Sequence, residues 1–295
     1  MAETLRKTVA VATDTNSGIT EAQAHQLGVY LVPMPVIIDG QTYFENETIS
    51  QETFFQRLNG GAEVSTSQPP VGLLLDRWDA LLKTFDQVIY IPMSSALSGS
   101  CQTAKMLAAE YQGRVLVVDN HRISIPQRQS VLDALYLLSQ GKTAEEVTAY
   151  LDVDGMAASA YVAVNTLEFL KKSGRVTAAG AAVATMLNIK PILQIQGGKL
   201  DAFKKSRGMH AATEVMIAAL RKDRETRFAG RPVAIRAGFA GDPVAGEAWR
   251  AALQAAFPDI SVGMDPLPIS ISSHTGDGAL GACITWDILP AGWPR

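Results

Sequence analysis

Short apolar runs alternate with helical patterns along the first half of the chain. The runs at 9–13, 87–93 and 115–119 are rich in β-forming residues, and the segments at 20–27 and 126–139 are helical in pattern. Strands that alternate with helices are typical of a parallel sheet with right-handed crossovers. The pattern therefore predicts an α/β fold whose first half contains a mainly parallel sheet.

Turn-forming residues separate the other predicted elements. Asp39-Gly40 predicts a hairpin turn between strands at 30–38 and 41–44. The further predicted helices are 50–58, 69–82, a segment with an apolar face from Leu97 to Tyr111, 168–172, 211–223 and 246–256. The further predicted strands are 159–165, 189–196, 199–203, 232–239 and 269–273.

The regular pattern of the first half changes near residue 155. A chain of 295 residues is also long enough for two domains of roughly 100–200 residues each. We therefore expect an N-terminal α/β domain over 1–156 and a C-terminal α/β domain over 157–295.

Composition and charge exclude several classes of protein. Hydrophobic residues make up 47% of the chain and aromatic residues only 7%, so the apolar material is mostly aliphatic. This is enough to build a core, which excludes a disordered chain. With 29 acidic and 26 basic residues the net charge is −3, and there is no positive field to attract a nucleic acid.

Cysteine usage and apolar run lengths bear on the compartment. Cys101 and Cys283 lie far apart and belong to no CxxC pair, so we expect two buried thiols. Residues 1–8 lead straight into the first strand and predict no signal peptide. The apolar stretch at 178–187 is shorter than the about 18 residues of a membrane span. We therefore expect a cytoplasmic protein without stable membrane insertion.

Two hydroxyl-rich segments precede predicted helices. Thr66-Ser67-Gln68-Pro69-Pro70 places hydroxyls where the free N–H groups of a helix start point, which suits either a helix cap or an anion. The segment 94–100, SSALSGS, follows a strand, where α/β sheets bind ligands. It contains no Lys or Arg, so it favours a carboxyl group over a triphosphate, although a plain serine-rich turn has the same pattern.

A third candidate segment lies at 273–281. Its last six residues match G-x-G-x-x-G, but only 14 residues follow, too few to complete a dinucleotide-binding unit. What remains is His274 and Thr275 on a glycine turn, a pattern that a structural histidine also fits.

A fourth candidate is Arg175, at the end of the basic segment 170–175. It is either part of a solvated helix end or an arginine presented to a phosphate or an acidic partner. The sequence contains no HExxH, no paired Cys/His set and no DxDxDG loop, so we expect no metal site.

Together these segments resemble the DegV family of bacterial fatty-acid-binding proteins. The resemblance runs in order from about residue 9 to residue 282. It is carried by Thr13-Asp14 with Ser17, and by 32–40, 66–69, 94–100, 165–175, 189–193, 198–200 and 274–281.

The resemblance implies two α/β domains with a long-chain fatty acid such as palmitate, stearate or oleate in the cleft between them, and no cofactor. In the family, the acyl chain lies in an apolar tunnel, and hydroxyls of the TSxP and SSxLSG segments hold the carboxyl group. The residues that this implies for the carboxyl site here are Thr66, Ser67, Ser95, Ser98, Gly99, His274 and Thr275.

The resemblance also implies a lipid-binding protein rather than an enzyme. Some family members are the non-catalytic, acyl-binding subunit of bacterial fatty acid kinase. They present the bound carboxyl group to a separate ATP-dependent catalytic subunit, which forms an acyl phosphate for phospholipid metabolism. That kinase subunit is then the expected partner, and Arg175 is a candidate docking residue.

One departure and two alternative functions stay open. The family usually has serine and glycine after the strand that ends at Asp119, whereas 120–129 contains Arg122 and Arg128 and no glycine, which puts the tunnel entrance in question. A serine hydrolase of lipid esters or thioesters could use Ser98 or Ser95 with His274, but no G-x-S-x-G elbow occurs. A kinase with its own nucleotide site would need a P-loop, and none occurs.

Overall fold

The computed structural model describes residues 8–177, 188–198 and 200–294. The apolar stretch at 178–187 and Lys199, the first residue of a predicted strand, lie outside the described residues. Within the described ranges, no helix combines the length and apolar character needed to cross a membrane.

The described residues form three sheets with helices packed on them. The strands are β1 Val9–Asp14, β2 Val29–Val32, β3 Pro35–Ile38, β4 Gln41–Phe44, β5 Val64–Thr66, β6 Gln87–Ile91, β7 Val115–Val117, β8 Ala158–Ala163, β9 Ile189–Ile195, β10 Leu200–Arg207, β11 Val233–Phe239, β12 Gly263–Pro266 and β13 Leu280–Trp286. The α-helices are α1 Glu21–Leu27, α2 Gln51–Asn59, α3 Val71–Leu81, α4 Ser100–Ala108, α5 Ile125–Ser139, α6 Ala144–Asp154, α7 Glu168–Ser173, α8 Met209–Glu225, α9 Pro243–Ala256 and α10 Ile269–Thr275.

The first sheet is parallel, with the strand order β2-β1-β6-β7. Helices α3 and α4 cover one face through a core that includes Trp78 and Tyr90, and α5 and α6 cover the other through Val131 and Leu151. Because all four strands run the same way, the segments that follow β1, β6 and β7 meet at one edge, where such sheets bind ligands. The predicted parallel sheet of the first half is confirmed.

The second half of the chain forms a six-stranded mixed sheet in the order β10-β9-β8-β13-β11-β12. Its described strand pairs are antiparallel except β11 with β12. Helices α8 and α9 cover one face through a core that contains Met216 and Trp249. These two helices leave the other face of the sheet uncovered, and it faces the rest of the molecule.

A small antiparallel sheet, β4-β3-β5, connects the two halves. Val36 and Ile38 of β3 pack in one apolar cluster with Phe54 of α2 and with Leu193 and Ile269 from the second half. No described strand of either large sheet crosses residue 157, but both halves of the chain contribute residues to this cluster. The division into 1–156 and 157–295 therefore stays a prediction.

The predicted strand at 269–273 is wrong, because this segment is helix α10. Its Ile-Ser-Ile-Ser pattern alternates apolar and polar residues with the period of a strand. In the fold, however, the Ser272 and Ser273 hydroxyls are buried and donate to the carbonyl oxygens of Leu267 and Ile269, at 3.2 and 2.7 Å. Serines that bond to backbone carbonyls in or just before their own helix need no solvent-facing side, so the alternation does not indicate a strand here.

Other elements also differ from the sequence-based expectation, and strands β5, β12 and β13 were not predicted. The predicted strand at 30–38 is divided at Pro33 into β2 and β3, which join different sheets. Proline has no N–H for a continued ladder, which accounts for the break. Helix α6 was not predicted, although Thr143 and Glu146 form a reciprocal capping box at its start.

Candidate functional site

A largely apolar cavity lies against the face of the six-stranded sheet that α8 and α9 leave uncovered. Its empty volume is about 1070 Å³, including the part that opens to solvent. Successive residues of a strand face opposite sides, so Ala160 and Val162 of β8 face the cavity while the Tyr161 ring packs beneath α8 and α9. Small residues at Ala160, Gly281 and Cys283 leave room above the sheet.

The rest of the wall comes mainly from the carboxyl edge of the parallel sheet and from α10, with one residue each from α7 and β10. Its apolar residues are Met34, Met93, Leu97, Ile123, Ile125, Pro126, Leu170, Leu200, Leu267 and Ile271. The cavity is therefore bounded by residues from both halves of the chain.

A hydrogen bond between Thr66 and His274 lies in the cavity wall. Thr66 Oγ1 and His274 Nε2 are 2.9 Å apart. Pairing of β5 with β3 fixes Thr66 opposite Val36, and α10 brings His274 from a position 208 residues further along the chain. The structure thus brings together two residues that come from separate candidate segments of the sequence.

The environment of His274 keeps its ring neutral. Burial, with a smaller effect of the Arg175 charge, lowers the pKa of His274 from 6.5 to about 4. Its Nδ1 atom is buried and has no hydrogen-bond partner among the described residues. A neutral imidazole with an open nitrogen can donate to or accept from a group in the cavity.

The lowered pKa of His274 predicts a pH-dependent stability. His274 takes up a proton near pH 6.5 in the unfolded chain and only near pH 4 in the folded chain. Its contribution to the free energy of unfolding is therefore complete above pH 6.5 and is lost as the pH falls to about 4. We expect the free energy of unfolding of the lipid-free protein, relative to His274→Gln, to fall by on the order of 3 kcal/mol across that range. Urea titrations from pH 7.5 to 4 measure it.

Asp14 has the opposite effect on stability, because burial raises its pKa to about 6. Subtracting the free energy of unfolding of His274→Gln from that of the wild type cancels this effect. A difference between the two proteins that stays constant with pH would contradict the prediction.

Four other predicted site residues also line the cavity: Ser67, Ser98, Thr275 and Arg175. The Ser98 hydroxyl accepts from the Ser100 N–H at 3.2 Å, and the Thr275 hydroxyl donates to the Ile271 carbonyl at 3.4 Å. Arg175 is half-buried and donates to the Ser173 carbonyl. These side chains add hydroxyl groups and one cation to the Thr66–His274 pair.

Ser95 and Gly99 are not among the described residues that line the cavity. Ser95 is exposed, and its N–H donates to Asp119 at 3.2 Å. Gly99 is exposed and precedes α4 as its N-cap. The SSALSGS segment therefore turns Ser98 to the cavity and these two residues away from it.

The cavity wall also contains polar residues that were not predicted for the site: Gln68, from the candidate segment 66–70, and Asn16, Ser124 and Ser270. For Asn16 a signal was present, because it follows a parallel strand at the ligand-binding edge. Ser270 carried no such signal, because its segment was predicted to be a strand. Ser124 lay within the loop that departs from the family pattern.

The two arginines of that loop are paired inside the protein. Arg122 is buried and lies 2.7 Å from the Asp154 carboxylate, and its guanidinium also donates to Ser130 at 2.9 Å. Arg128 is buried 3.6 Å from Asp265. Neither belongs to the described residues around the cavity, so they put no charge at its wall.

The loop stores backbone strain at Ser124, which has φ +57° and ψ −135°. A side chain is unfavourable there by about 1–3 kcal/mol, whereas glycine adopts such angles freely. We expect Ser124→Gly to raise the free energy of unfolding by about 1 kcal/mol after the larger chain entropy of glycine is subtracted.

Urea unfolding of the lipid-free protein measures the change. The matched control is Ser139→Gly at the end of α5, which we expect to destabilise by about 0.5–1 kcal/mol. Equal losses in both variants would contradict the strain at Ser124.

The donor set around the cavity does not suit a metal or a thiol nucleophile. Among the described residues, no group of three or more His, Cys, Asp or Glu side chains could hold a metal ion. Cys283 faces the cavity, but burial raises the pKa of its thiol to about 12, so the thiolate is scarce at neutral pH.

The chain is similar to proteins of one family over almost its whole length. A family model described as "Uncharacterised protein, DegV family" matches residues 8–286. A DegV domain-containing protein from Deinococcus radiodurans is 30% identical over 280 residues, which are 94% of this chain and 98% of that protein.

Two solved structures share the fold closely. A fatty-acid-binding DegV family protein from Thermus thermophilus superposes with a TM-score of 0.87 at 32% identity, covering 95% of this chain and all of that one. DegV from Bacillus subtilis, a fatty-acid-binding protein, superposes with a TM-score of 0.83 at 26% identity, covering 95% of this chain and all of that one.

Proposed function

The chain belongs to the DegV family, and from this membership we propose that it binds a long-chain fatty acid in the cavity between its two halves. The observation that carries the proposal is a largely apolar cavity whose wall holds the Thr66–His274 pair beside Arg175. Each methylene buried there contributes about 0.8 kcal/mol, so the acyl chain supplies most of the affinity.

The carboxyl group of the lipid needs hydrogen-bond partners, because an unpaired charge in an apolar cavity is very costly. In our proposal His274 Nε2–H donates to Thr66 Oγ1, and the Thr66 hydroxyl donates its own hydrogen to the carboxylate. The Ser98 hydroxyl, which accepts from Ser100 and keeps its own hydrogen, is a further donor. Ser67 and Thr275 line the same wall but donate to the carbonyl oxygens of Gln68 and Ile271. The Arg175 charge favours the ionised form. Ser95 and Gly99, which point away from the cavity, have no direct part in it.

The test of lipid binding is to extract the purified protein into organic solvent and to identify its lipids by mass spectrometry. We expect a fatty acid of long chain at a stoichiometry near one. Lipid-free protein should bind palmitate, stearate or oleate on incubation. Protein that carries no fatty acid before or after incubation would contradict the proposal.

The proposal extends to a partner. The bound carboxyl group lies beside Arg175 at the half-buried end of the basic segment, where a separate ATP-dependent kinase subunit could reach it and form an acyl phosphate. The chain would then be the non-catalytic subunit, and a fatty acid its cargo.

We expect Arg175→Gln to slow acyl phosphate formation at least tenfold at saturating fatty acid, measured with a fatty acid kinase catalytic subunit and ATP. Saturating lipid separates this effect from any change in lipid affinity. Lys171→Gln, which removes an exposed charge from α7, the helix that ends two residues before Arg175, is the control. Equal rates for the two variants would argue against docking at Arg175.

The hydrolase alternative receives no support from the geometry. A serine nucleophile needs an adjacent base, and His274 Nε2 is bonded to Thr66. A ring with a pKa of about 4 is also a weak base at neutral pH, and its Nδ1 has no acidic partner among the described residues.

A further inference from the structure

A second polar pair lies in the cavity wall, apart from Thr66 and His274. It consists of Asn16 and Ser270, which are 2% and 6% exposed. The Ser270 hydroxyl donates to Asn16 Oδ1 at 2.6 Å. Two buried polar side chains in a largely apolar wall need a physical reason, because each must keep its hydrogen bonds satisfied away from water.

The position of the pair is fixed from both halves of the molecule. Ser270 precedes His274 by four residues on α10, so it lies on the same side of the helix about 6 Å along its axis. Asn16 belongs to the short 3₁₀ turn Thr15–Ser17 after β1, and its N–H donates to Asp14 at 3.0 Å. Asp14 is itself held by the Met93 N–H at 2.8 Å. The pair is therefore preorganised, about one helical turn from the carboxyl site.

The pair has hydrogen-bonding capacity that is unused or only weakly used. The Asn16 side chain bonds to Asp14, and Asn16 Nδ2 also donates to the Met93 sulfur at 3.0 Å, which is a weak acceptor. Ser270 Oγ gives its one hydrogen to Asn16 and keeps lone pairs for a further donor. A donor and an acceptor thus lie side by side in the wall.

We propose that the cavity accepts a fatty acid that carries a hydroxyl group on its acyl chain as well as an unsubstituted one. That hydroxyl accepts from Asn16 Nδ2 in place of the weak Met93 sulfur acceptor and donates to Ser270 Oγ. The inference rests on the proposed fatty acid binding and adds the class of acyl chain. In a purely apolar wall the same hydroxyl would lower the affinity by about ten- to a hundredfold, because it would be buried without a partner.

The test measures the affinities of stearate and of its 3-, 6-, 10- and 12-hydroxy derivatives, which are isomers of one another, by calorimetric titration of the lipid-free full chain. We expect at least one isomer to bind as tightly as stearate. Ser270→Ala and Asn16→Leu should each weaken that isomer by about tenfold while stearate affinity stays within about twofold. The matched control is Ser272→Ala on the same helix, whose buried hydroxyl bonds to Leu267 and does not reach the cavity.

Two outcomes would overturn the inference. The first is that every hydroxy isomer binds wild-type protein at least tenfold more weakly than stearate. The second is that the ratio of the affinity for the hydroxylated fatty acid to the affinity for stearate is the same in wild type and in Ser270→Ala. Because Ser270→Ala removes only one oxygen atom, it tests the inference even if Asn16→Leu does not fold. Failure of stearate itself to bind would instead contradict the proposed function.

Discussion

Replacing Ala160 with tryptophan is expected to lower the affinity for a long-chain fatty acid by at least about a hundredfold. Ala160 faces the cavity between Ile195 and Cys283 on the neighbouring strands, and an indole at this position occupies the space above the sheet. Each methylene that is kept out loses about 0.8 kcal/mol, so excluding about four methylenes is sufficient.

The fold should survive this substitution, because the new side chain enters empty space and Ala160 is only half-buried. Displacement of a fluorescent fatty acid measures the affinity, and circular dichroism checks the fold. The control is Val153→Trp on α6, where the side chain is 76% exposed and does not line the cavity. An affinity of Ala160→Trp equal to that of the control would show that the acyl chain does not lie over β8.

Replacing Thr66 with valine is expected to lower the affinity by about ten- to a hundredfold. The two side chains have the same shape, so the change removes the hydroxyl and little else. A hydrogen bond to a charged group contributes about 1.5–3 kcal/mol, and His274 loses its partner at 2.9 Å in the same step.

Ser95→Ala is the matched control for Thr66→Val. The sequence placed both hydroxyls at the carboxyl group, whereas the structure leaves Ser95 exposed outside the cavity. We expect Ser95→Ala to bind stearate like the wild type in the same displacement assay. A loss in Ser95→Ala equal to that in Thr66→Val would contradict the carboxyl site that we propose.

Periodicity predicted most of the fold, because most elements bury one consistent face. The parallel strands of the first half were found as runs of β-formers, and α8 and α9 as amphipathic helices. Periodicity missed β5, α6, β12 and β13, and it was wrong at 269–273. There buried serines bond to nearby backbone carbonyls, and the alternation of polar and apolar residues does not report exposure.

The candidate site was predictable in part. Thr66, Ser98 and His274 were identified from short segments in a particular order, and the structure places all three in the cavity wall. The direction of each side chain was not available, since the turn 94–100 exposes Ser95 and faces Ser98 inwards. The charge of the 120–129 loop was also misleading, because Arg122 is neutralised by Asp154, a partner 32 residues away.

The amino-acid sequence by itself determined the α/β class, the parallel first sheet and the family, because these depend on local patterns and on segments that keep their order. Only the tertiary structure decided that α10 carries His274 to Thr66, that small residues above β8 and β13 leave a cavity, and that Asn16 meets Ser270. Each of these depends on contacts between segments that lie more than a hundred residues apart. A local pattern reports how one side of an element is solvated, and it contains no information on which distant side chain completes a hydrogen bond or leaves a space.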